Sequence, residues 1–214
     1  MLIKKQDKYV VGIDEAGRGP LAGPVSVSAV IMSVTDYSKL KSKISSIKWL
    51  LENGLVPLQD SKKLSEKNRD KWFEQINAWK ESGLLDFKNS MVGASQIDKK
   101  GISVVIRKII ESLLIKLNVQ KMSKPRILLD GSLAAPEIYR NQKTIIRGDE
   151  LEPIISLASI TAKCLRDQKM IKMAEKYPDY SLDVHKGYGT AKHLKSIKKH
   201  GLSEIHRKTY CTKV

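Results

Sequence analysis

Residues 9–32 have the sequence YVVGIDEAGRGPLAGPVSVSAVIM. Two short apolar runs rich in β-branched side chains, 9–13 and 25–32, are separated by glycine and proline, which predicts two strands joined by a tight turn. Strands joined by so short a connection run antiparallel. Two acidic residues, Asp14 and Glu15, directly follow the first strand, at a place where a buried core needs no charge.

Helical and strand patterns alternate along the rest of the chain. Apolar residues at three- and four-residue spacing over 102–117 predict an amphipathic helix, and Pro153 predicts the first turn of a long helix that ends near Tyr177. The other predicted elements are a helix at 65–79, strands at 84–91, 126–129 and 144–146, and basic helices around 191–200. This order predicts an α/β fold with a mixed β-sheet flanked by helices and a helical C-terminal subdomain.

The composition is that of an ordinary globular protein, with 41% hydrophobic and 29% charged residues. Lys and Arg number 39 against 23 Asp and Glu, and the net charge of +16 favours a polyanionic partner. The sequence contains no run of about 18 apolar residues that could span a bilayer. The N-terminal segment lacks the apolar core of a secretory signal. Cys164 and Cys211 have no CxxC spacing. We therefore expect free thiols, a cytoplasmic protein, and nucleic acid rather than a membrane as its partner.

Half of the net charge lies in about the last quarter of the chain. Residues 163–214 contain 13 Lys and Arg against five Asp and Glu, together with all four histidines. A solvated helical surface would explain a lone basic helix equally well. Here the whole segment is basic and contains tyrosines at positions 177, 180, 188 and 210. This combination favours a surface that follows a nucleic-acid backbone.

Acidic residues also follow the later predicted strands. Asp130 and Asp149 each come after an apolar run, so their carboxylates can converge with those of Asp14 and Glu15 at one rim of the sheet. Such a cluster repels itself unless divalent cations neutralise it, and oxygen ligands of this kind suit Mg²⁺ or Mn²⁺. Two such ions can hydrolyse a phosphodiester.

Each acid has a structural alternative. Asp130 precedes Gly131 in a common turn dipeptide. Asp149 stands near the start of a helix, where acids favour the helix dipole whatever their function. Adjacent residues of a strand face opposite ways, so Asp14 and Glu15 reach one site only if the strand ends or bends there.

Motifs that occur in a fixed order cover nearly the whole chain. They are GIDEAGRGPLAGPV at 12–25, DSKKLS at 60–65, LDG at 129–131, GD at 148–149, ASITAK at 158–163, RD at 166–167, KGYGT at 186–190, His193, and IHR at 205–207. In this set the chain closely resembles ribonuclease HII, the bacterial type 2 ribonuclease H. It departs from that family at Leu157, at Cys164 and Leu165, and at His185, where asparagine is common. The acidic residues are untouched by these departures.

The resemblance implies a ribonuclease H-like catalytic domain at 9–178 with a basic helical C-terminal extension, 179–214, packed on it. It implies an endoribonuclease that hydrolyses the RNA strand of RNA–DNA hybrids. It also implies cleavage on the 5′ side of a ribonucleotide embedded in duplex DNA, which leaves a 3′-hydroxyl and a 5′-phosphate. This reaction begins ribonucleotide removal in DNA replication and repair.

The same resemblance implies two-metal-ion hydrolysis with Mg²⁺ or Mn²⁺. Asp14 would bridge the two ions, and each of the other acids would help to hold one. The matching acidic quartet, which supplies the expected catalytic and metal-holding residues, is Asp14, Glu15, Asp130 and Asp149. Which metal the enzyme prefers is left open.

Other motifs of the family concern substrate recognition. Gly17-Arg18-Gly19 matches the motif that senses the 2′-hydroxyl of the ribonucleotide, and glycines let backbone groups approach a sugar edge. Tyr188 matches the tyrosine that packs on the following sugar; without the family, an exposed tyrosine between two glycines is the simpler interpretation. Phosphate contacts are expected from Ser61, Lys62 and Lys63. We expect a monomer, and whether a sliding clamp recruits it is left open.

Three alternatives compete with this hypothesis. Ribonuclease HIII carries an additional N-terminal substrate-binding domain and lacks an arginine at the position of Arg18, whereas here the first motif already begins at Gly12. A non-catalytic protein that binds RNA–DNA hybrids would use the basic tail equally well, but it gains nothing from carboxylates beside phosphates. A structural nucleoid protein is disfavoured for the same reason. The roles of His185 and His206 are left open, with a structural role favoured for His206.

Overall fold

The two opening strands belong to a five-stranded sheet in the part of the chain that the computed structural model describes, residues 6–58, 61, 63–212 and 214. The strands are β1 (Tyr9–Ala16), β2 (Val25–Ser33), β3 (Asp86–Val92), β4 (Pro125–Asp130) and β5 (Gln142–Ile145). Their order across the sheet is β3-β2-β1-β4-β5. β2 is antiparallel to β1 and β3, whereas β4 is parallel to β1 and β5. The predicted mixed sheet is confirmed.

Helices cover both faces of this sheet. Within the described residues they are α1 (Val34–Ile44), α2 (Ile47–Glu52), α3 (Glu66–Glu81), α4 (Ala94–Lys100), α5 (Ile102–Lys116), α6 (Gly148–Leu151), α7 (Pro153–Lys176), α8 (Leu182–His185) and α9 (Ala191–His200), with 3₁₀ turns at Val119–Lys121, Pro178–Tyr180 and Lys208–Tyr210. The helices predicted at 102–117 and 153–177 coincide with α5 and α7 to within a residue. None of the helices in the described ranges is long and apolar enough to cross a membrane.

The alternation of side chains along β1 divides the core into two layers. Val10 packs in a cluster with α1, α3 and α7, whereas Val11 and Ile13 pack in a second cluster with α5 on the opposite face. This follows from the two-residue period of a strand. Gly12 faces α7, and a Cβ added there would lie 2.3 Å from the carbonyl oxygen of Ile154. The absence of a side chain therefore lets α7 lie directly against β1.

The C-terminal residues have a smaller apolar cluster of their own. Its members from the tail are Tyr180, Leu182, Ile197 and Ile205, which pack on residues of α7 and of the turn between β1 and β2. The turn and the tail are also joined by backbone hydrogen bonds, such as Gly23 N–H to the Ile205 carbonyl at 2.9 Å. The tail is thus attached to the part of the molecule that carries the first motif. A domain boundary between 178 and 179 stays a prediction.

Five of the described helices, α1, α2, α4, α6 and α8, were not predicted. The signal for α1 is present in the sequence, because Ser33 is followed three residues later by Asp36, as in a capping box. The Asp36 N–H donates to Ser33 Oγ at 3.0 Å, and Ser33 Oγ donates to Asp36 Oδ2 at 2.6 Å. α1 buries Tyr37, Leu40 and Ile44 at helical spacing. Both the cap and the apolar spacing of α1 can thus be read from the sequence.

The end of the first strand requires a correction. Asp14 and Glu15 were expected to follow β1, but β1 continues to Ala16 and both acids lie inside it. The reason is that the antiparallel partner β2 extends past them, with Asp14 opposite Ser28 and Glu15 opposite Val27. The parallel partner β4 stops earlier, since its pairing with β1 ends at Ile13 opposite Leu129. Asp14 and Glu15 therefore lie where β1 is still paired with β2 but no longer with β4.

Candidate active site

Carboxylates gather at the end of β1 and β4, as the strand order predicts. Parallel neighbours end at the same edge of a sheet, so Asp14 and Asp130 each stand one residue beyond the Ile13–Leu129 pair. Asp149 lies in α6, shortly after β5, and its backbone N–H donates to Asp130 Oδ1 at 3.3 Å. Asp14 and Asp149 are buried, with 4% and 7% of their surface exposed. Three predicted site residues from separate parts of the chain are thus brought together.

The electrostatics of this cluster are unfavourable for its charges. Burial raises the pKa of the Asp14 carboxyl well above its ordinary value, and the negative charges of Glu15 and Asp130 raise it further. Hydrogen bonds from the Ser159 hydroxyl and from the Glu15 N–H, 2.7 Å from Asp14 Oδ1, only partly oppose this. The charges that act on the pKa of Asp14 are thus negative ones.

Glu15 adds an observation that bears on a metal. Its Oε1 lies 3.4 Å from Arg18 Nη1, while its Oε2 is buried and has no hydrogen-bond partner in the described part of the chain. No three or more His, Cys, Asp or Glu side chains among the described residues stand ready to coordinate an ion. An unpartnered buried carboxylate oxygen beside an aspartate of raised pKa nevertheless fits a hard divalent cation, which takes oxygen ligands. A cation would offset the repulsion that holds these acids apart.

The turn that carries Gly17-Arg18-Gly19 is clamped from beneath by two buried arginines. Arg207 Nη2 donates to the Gly17 carbonyl at 2.7 Å, and Arg207 Nη1 donates to the Arg18 carbonyl at 2.8 Å. Gly17 has a φ of +85°, and a Cβ there would lie 2.0 Å from Arg166 Nε. Glycine is therefore required at this position by both the backbone and the space.

Backbone carbonyls are the hydrogen-bond acceptors of both arginines, and Arg166 Nη1 also lies 4.0 Å from Asp167 Oδ1. Arg166 and Arg207 are fully buried, and Arg166 Nε donates to the Pro24 carbonyl at 2.9 Å. Burial, together with the neighbouring charge of Arg166, lowers the pKa of Arg207 to about 10. Both arginines belong to motifs noted in the sequence, RD at 166–167 and IHR at 205–207, but no role was predicted for Arg207. No local pattern marks such a residue, because its partners lie far away in the chain.

Tyr188 lies beside the same turn. The Leu21 N–H donates to the Gly187 carbonyl at 2.9 Å, which ties the KGYGT segment to it. The ring of Tyr188 is 38% exposed. Arg166 Cζ and Lys163 Nζ lie 5.7 and 5.8 Å from its centroid, within the range of a cation–π contact. One face of the ring is thus supported by positive charge.

Three buried histidines form a stack under the KGYGT segment, and their hydrogen bonds define their tautomers. His206 Nδ1 accepts from the Ser203 N–H at 3.0 Å, so the proton of the neutral ring is on Nε2. That proton is donated to His193 Nε2 at 3.2 Å. His193 must then carry its own proton on Nδ1, which donates to the Tyr188 carbonyl at 2.9 Å. His185 stacks on His193 at 4.3 Å between ring centroids. The structural role favoured for His206 agrees with this arrangement.

This stack predicts a loss of stability in mild acid. Burial lowers the pKa of His193 to about 4, whereas a histidine of the unfolded chain has a pKa of about 6.5. Between these values the unfolded chain binds one proton more, so the free energy of unfolding should fall as the pH falls from about 6.5 to about 4 and level off below. We expect His193 to contribute about 2–3 kcal/mol of this loss.

Urea unfolding at several pH values between 4 and 7.5 measures the effect. In His193→Gln the free energy of unfolding should depend less steeply on pH than in the wild type, whatever the cost of the substitution itself. His200→Gln is the matched control, because His200 is exposed on the same helix. Equal slopes in the wild type and His193→Gln would contradict the assignment.

Ser61 and Lys63, two of the three predicted phosphate contacts, have different surroundings in the structure. Ser61 is buried, and its hydroxyl lies 2.8 Å from that of Ser159. Because Ser159 donates its proton to Asp14, Ser61 donates to Ser159 and supports the cluster. Lys63 Nζ pairs with Glu150 Oε1 at 2.7 Å. Lys62 lies outside the described residues.

The chain is similar to known proteins over nearly its whole length. A family model described as Ribonuclease HII matches residues 11–213. The ribonuclease HII of Endomicrobium trichonymphae is 40% identical over 201 residues, which cover 94% of this chain and 84% of that protein. The ribonuclease HII of Caldicellulosiruptor bescii is 36% identical over 210 residues, which cover 96% and 88%.

Solved structures share the fold at lower identity. The PCNA:RNase HII complex from Archaeoglobus fulgidus contains a chain with a TM-score of 0.69 and 22% identity, and the match covers 92% of this chain and 93% of that one. The ribonuclease H2 from Pyrococcus horikoshii OT3 has a TM-score of 0.66 and 22% identity, covering 94% and 93%. Bst-RNase HIII in complex with Mn²⁺ has a TM-score of 0.63 and 13% identity, covering 96% and 66%.

Proposed function

The chain belongs to the ribonuclease HII family, and on that premise we propose that it cuts duplex DNA on the 5′ side of an embedded ribonucleotide. As a ribonuclease H it is a metal-dependent hydrolase that cleaves the RNA strand of RNA–DNA hybrids. One observation carries the finer proposal. The acidic cluster lies next to a turn, Gly17-Arg18-Gly19, in which the carbonyls of Gly17 and Arg18 accept hydrogen bonds from the buried Arg207.

The four acids are proposed to hold two divalent ions, Mg²⁺ or Mn²⁺. Asp14 lies between the charges of Glu15 and Asp130, which suits it to bridge, and the unpartnered Oε2 of Glu15 is a further ligand. Asp149 completes the set through its contact with Asp130. When bound, such ions lower the pKa of an attacking water and stabilise the leaving oxygen of the phosphodiester. The protein contributes the placement of the ligands, and no side chain is required as nucleophile.

Selectivity for a ribonucleotide is proposed to come from the turn. The N–H groups of Arg18 and Gly19 are on exposed residues and have no acceptor within the described chain. A 2′-hydroxyl both donates and accepts, so it can meet such free donors, and deoxyribose offers nothing in its place. Tyr188 is proposed to pack on the next sugar, with its other face supported by Arg166 and Lys163.

Electrostatic attraction of the duplex is assigned to the tail. Lys192, Lys195, Lys198 and Lys199 are all exposed on α9, which has no acidic residue. Ser61, Lys62 and Lys63 remain proposed phosphate contacts, although Ser61 is buried and Lys63 would first have to leave Glu150. We retain 179–214 as a basic extension of the catalytic domain.

The test is a cleavage assay on a DNA duplex with one ribonucleotide in a labelled strand. We expect a single cut on its 5′ side with Mg²⁺ or Mn²⁺, no cut with chelator, and no cut of the same duplex without the ribonucleotide. A long RNA–DNA hybrid measures the family activity in parallel. Binding of both substrates without cutting under either metal would instead favour the hybrid-binding alternative.

A further inference from the structure

A second feature at the sheet end is a small concavity on the α5 side, with a volume of about 260 Å³. The turn that follows β4 forms one wall and the first half of α5 forms the other. Its polar lining consists of Arg18, Ser103, Arg107 and Ser132, and the remaining lining residues are apolar. Among the described residues, no acidic side chain lines it. We call it the Arg107 pocket.

Three of the four polar side chains that line the Arg107 pocket are unused within the described part of the protein. Arg107 makes no ion pair or hydrogen bond in the described part of the chain, and neither serine hydroxyl has a partner there. Ser103 and Arg107 lie one helical turn apart, so their side chains are neighbours on α5. Arg18 has one contact, at 3.4 Å, with Glu15. Two guanidinium groups and two hydroxyls therefore remain available to one anion.

The wall opposite α5 is fixed by hydrogen bonds. The Leu133 N–H donates to the Asp130 carbonyl at 3.0 Å, and the Gly131 N–H donates to the Ile145 carbonyl at 2.9 Å. Thr144 Oγ1 donates to the Leu133 carbonyl at 2.7 Å. The pocket is thus built on the same turn that carries the Asp130 carboxylate, and its position relative to the acidic cluster is set before any ligand binds.

The position of the pocket relates it to the substrate. Tyr188 and its supporting cations belong to the α7 side of the sheet, whereas Arg107 is on α5, which packs on the opposite face. The acidic cluster lies at the sheet end between them. A duplex laid across that edge reaches both sides, and repulsion by the acids makes a cationic contact beside them useful.

We propose that the Arg107 pocket binds one phosphate group of the nucleic-acid backbone, on the side of the acidic cluster away from Tyr188. A guanidinium fork with neighbouring hydroxyls suits the tetrahedral oxygens of a phosphate. This inference rests on the proposed function, because the duplex is the source of the phosphate. Free inorganic phosphate offers the same chemistry, and the experiment separates the two.

Binding of a fluorescent duplex with one ribonucleotide, measured in EDTA over a range of salt, tests the pocket without catalysis. Arg107→Gln should weaken binding about tenfold at low salt and reduce the slope of log affinity against log salt by about 1. Lys108→Gln is the matched control, since it removes the same charge from the next residue of α5, which is exposed and outside the pocket. Equal weakening in both variants would overturn the site in favour of a general charge effect.

A single methylphosphonate moved along each strand then locates the phosphate. At one position the neutral linkage should weaken binding by the wild type and leave binding by Arg107→Gln unaffected. The strand that contains this position is the one whose phosphate occupies the Arg107 pocket. If no position does this while Arg107→Gln alone weakens inhibition by inorganic phosphate, the pocket serves a free anion and the proposal fails. Loss of cleavage in the earlier assay with this binding pattern intact would refute only the proposed function.

Discussion

Replacing Asp14 by asparagine is expected to reduce cleavage at an embedded ribonucleotide by at least about a thousandfold, as loss of several kcal/mol of metal-derived stabilisation implies. The asparagine amide has the same size as the aspartate carboxylate. It cannot supply the negative charge that Asp14 places beside Glu15 and Asp130. Single-turnover cleavage at saturating Mg²⁺ and Mn²⁺ measures the loss. Binding of the duplex in EDTA should be retained, because the substitution removes a repulsive charge.

The same substitution should leave the metal-free protein as stable as the wild type or more so. Asp14 is buried among like charges, and a neutral side chain removes that repulsion, by about 1 kcal/mol or more in the free energy of unfolding. Asp179→Asn is the matched control, since Asp179 is exposed in the tail and carries the same charge. If Asp14→Asn kept more than a tenth of the wild-type rate, Asp14 would not be a central metal-holding residue.

Gly12→Ala is expected to cost about 3 kcal/mol or more of stability. The new Cβ would lie 2.3 and 2.5 Å from the carbonyl oxygen and carbon of Ile154, which are backbone atoms and cannot rotate away. α7 would have to move off β1. Since Ser159 of α7 donates to Asp14, we expect the activity of the folded variant to fall as well. Urea unfolding in the wild type and the variant gives the difference.

Gly93→Ala is the control for this substitution. A Cβ at Gly93 would meet no atom within 4 Å, and its backbone is extended, with φ −79° and ψ 175°. Its cost should stay below about 1 kcal/mol, the usual difference between glycine and alanine at a helix N-cap. Similar stability losses in both variants would show that contact with α7 is not what requires glycine at position 12.

Most elements of the fold follow from patterns within a few residues. The apolar spacing over 102–117 and the proline at the start of α7 define the two long helices nearly to the residue. The failures are also local. The helix α1 was missed although Ser33 and Asp36 form its cap, and the end of β1 was placed too early because Asp14 is charged. A charge within a strand is costly only where it is buried without a partner, and burial depends on the neighbouring strand.

The candidate site divides in a similar way. The acids could be proposed from their positions after apolar runs, and the parallel pairing of β1 with β4 explains why two of them meet. That Glu15 has an unpartnered buried oxygen could not be foreseen. Nor could the Arg107 pocket, because its walls come from α5 and from the turn after β4.

By itself the sequence determined the family and the α/β class and singled out the candidate residues for the chemistry, since these depend on short motifs and on the periodicity of apolar side chains. Only the tertiary structure decided how those residues are held. Arg207 is separated from the Gly17 carbonyl it binds by 190 positions, and His193 reaches His206 on a different segment. A buried polar group takes whichever partner the packing of distant segments brings within hydrogen-bond distance, and the local sequence of either partner does not encode that encounter.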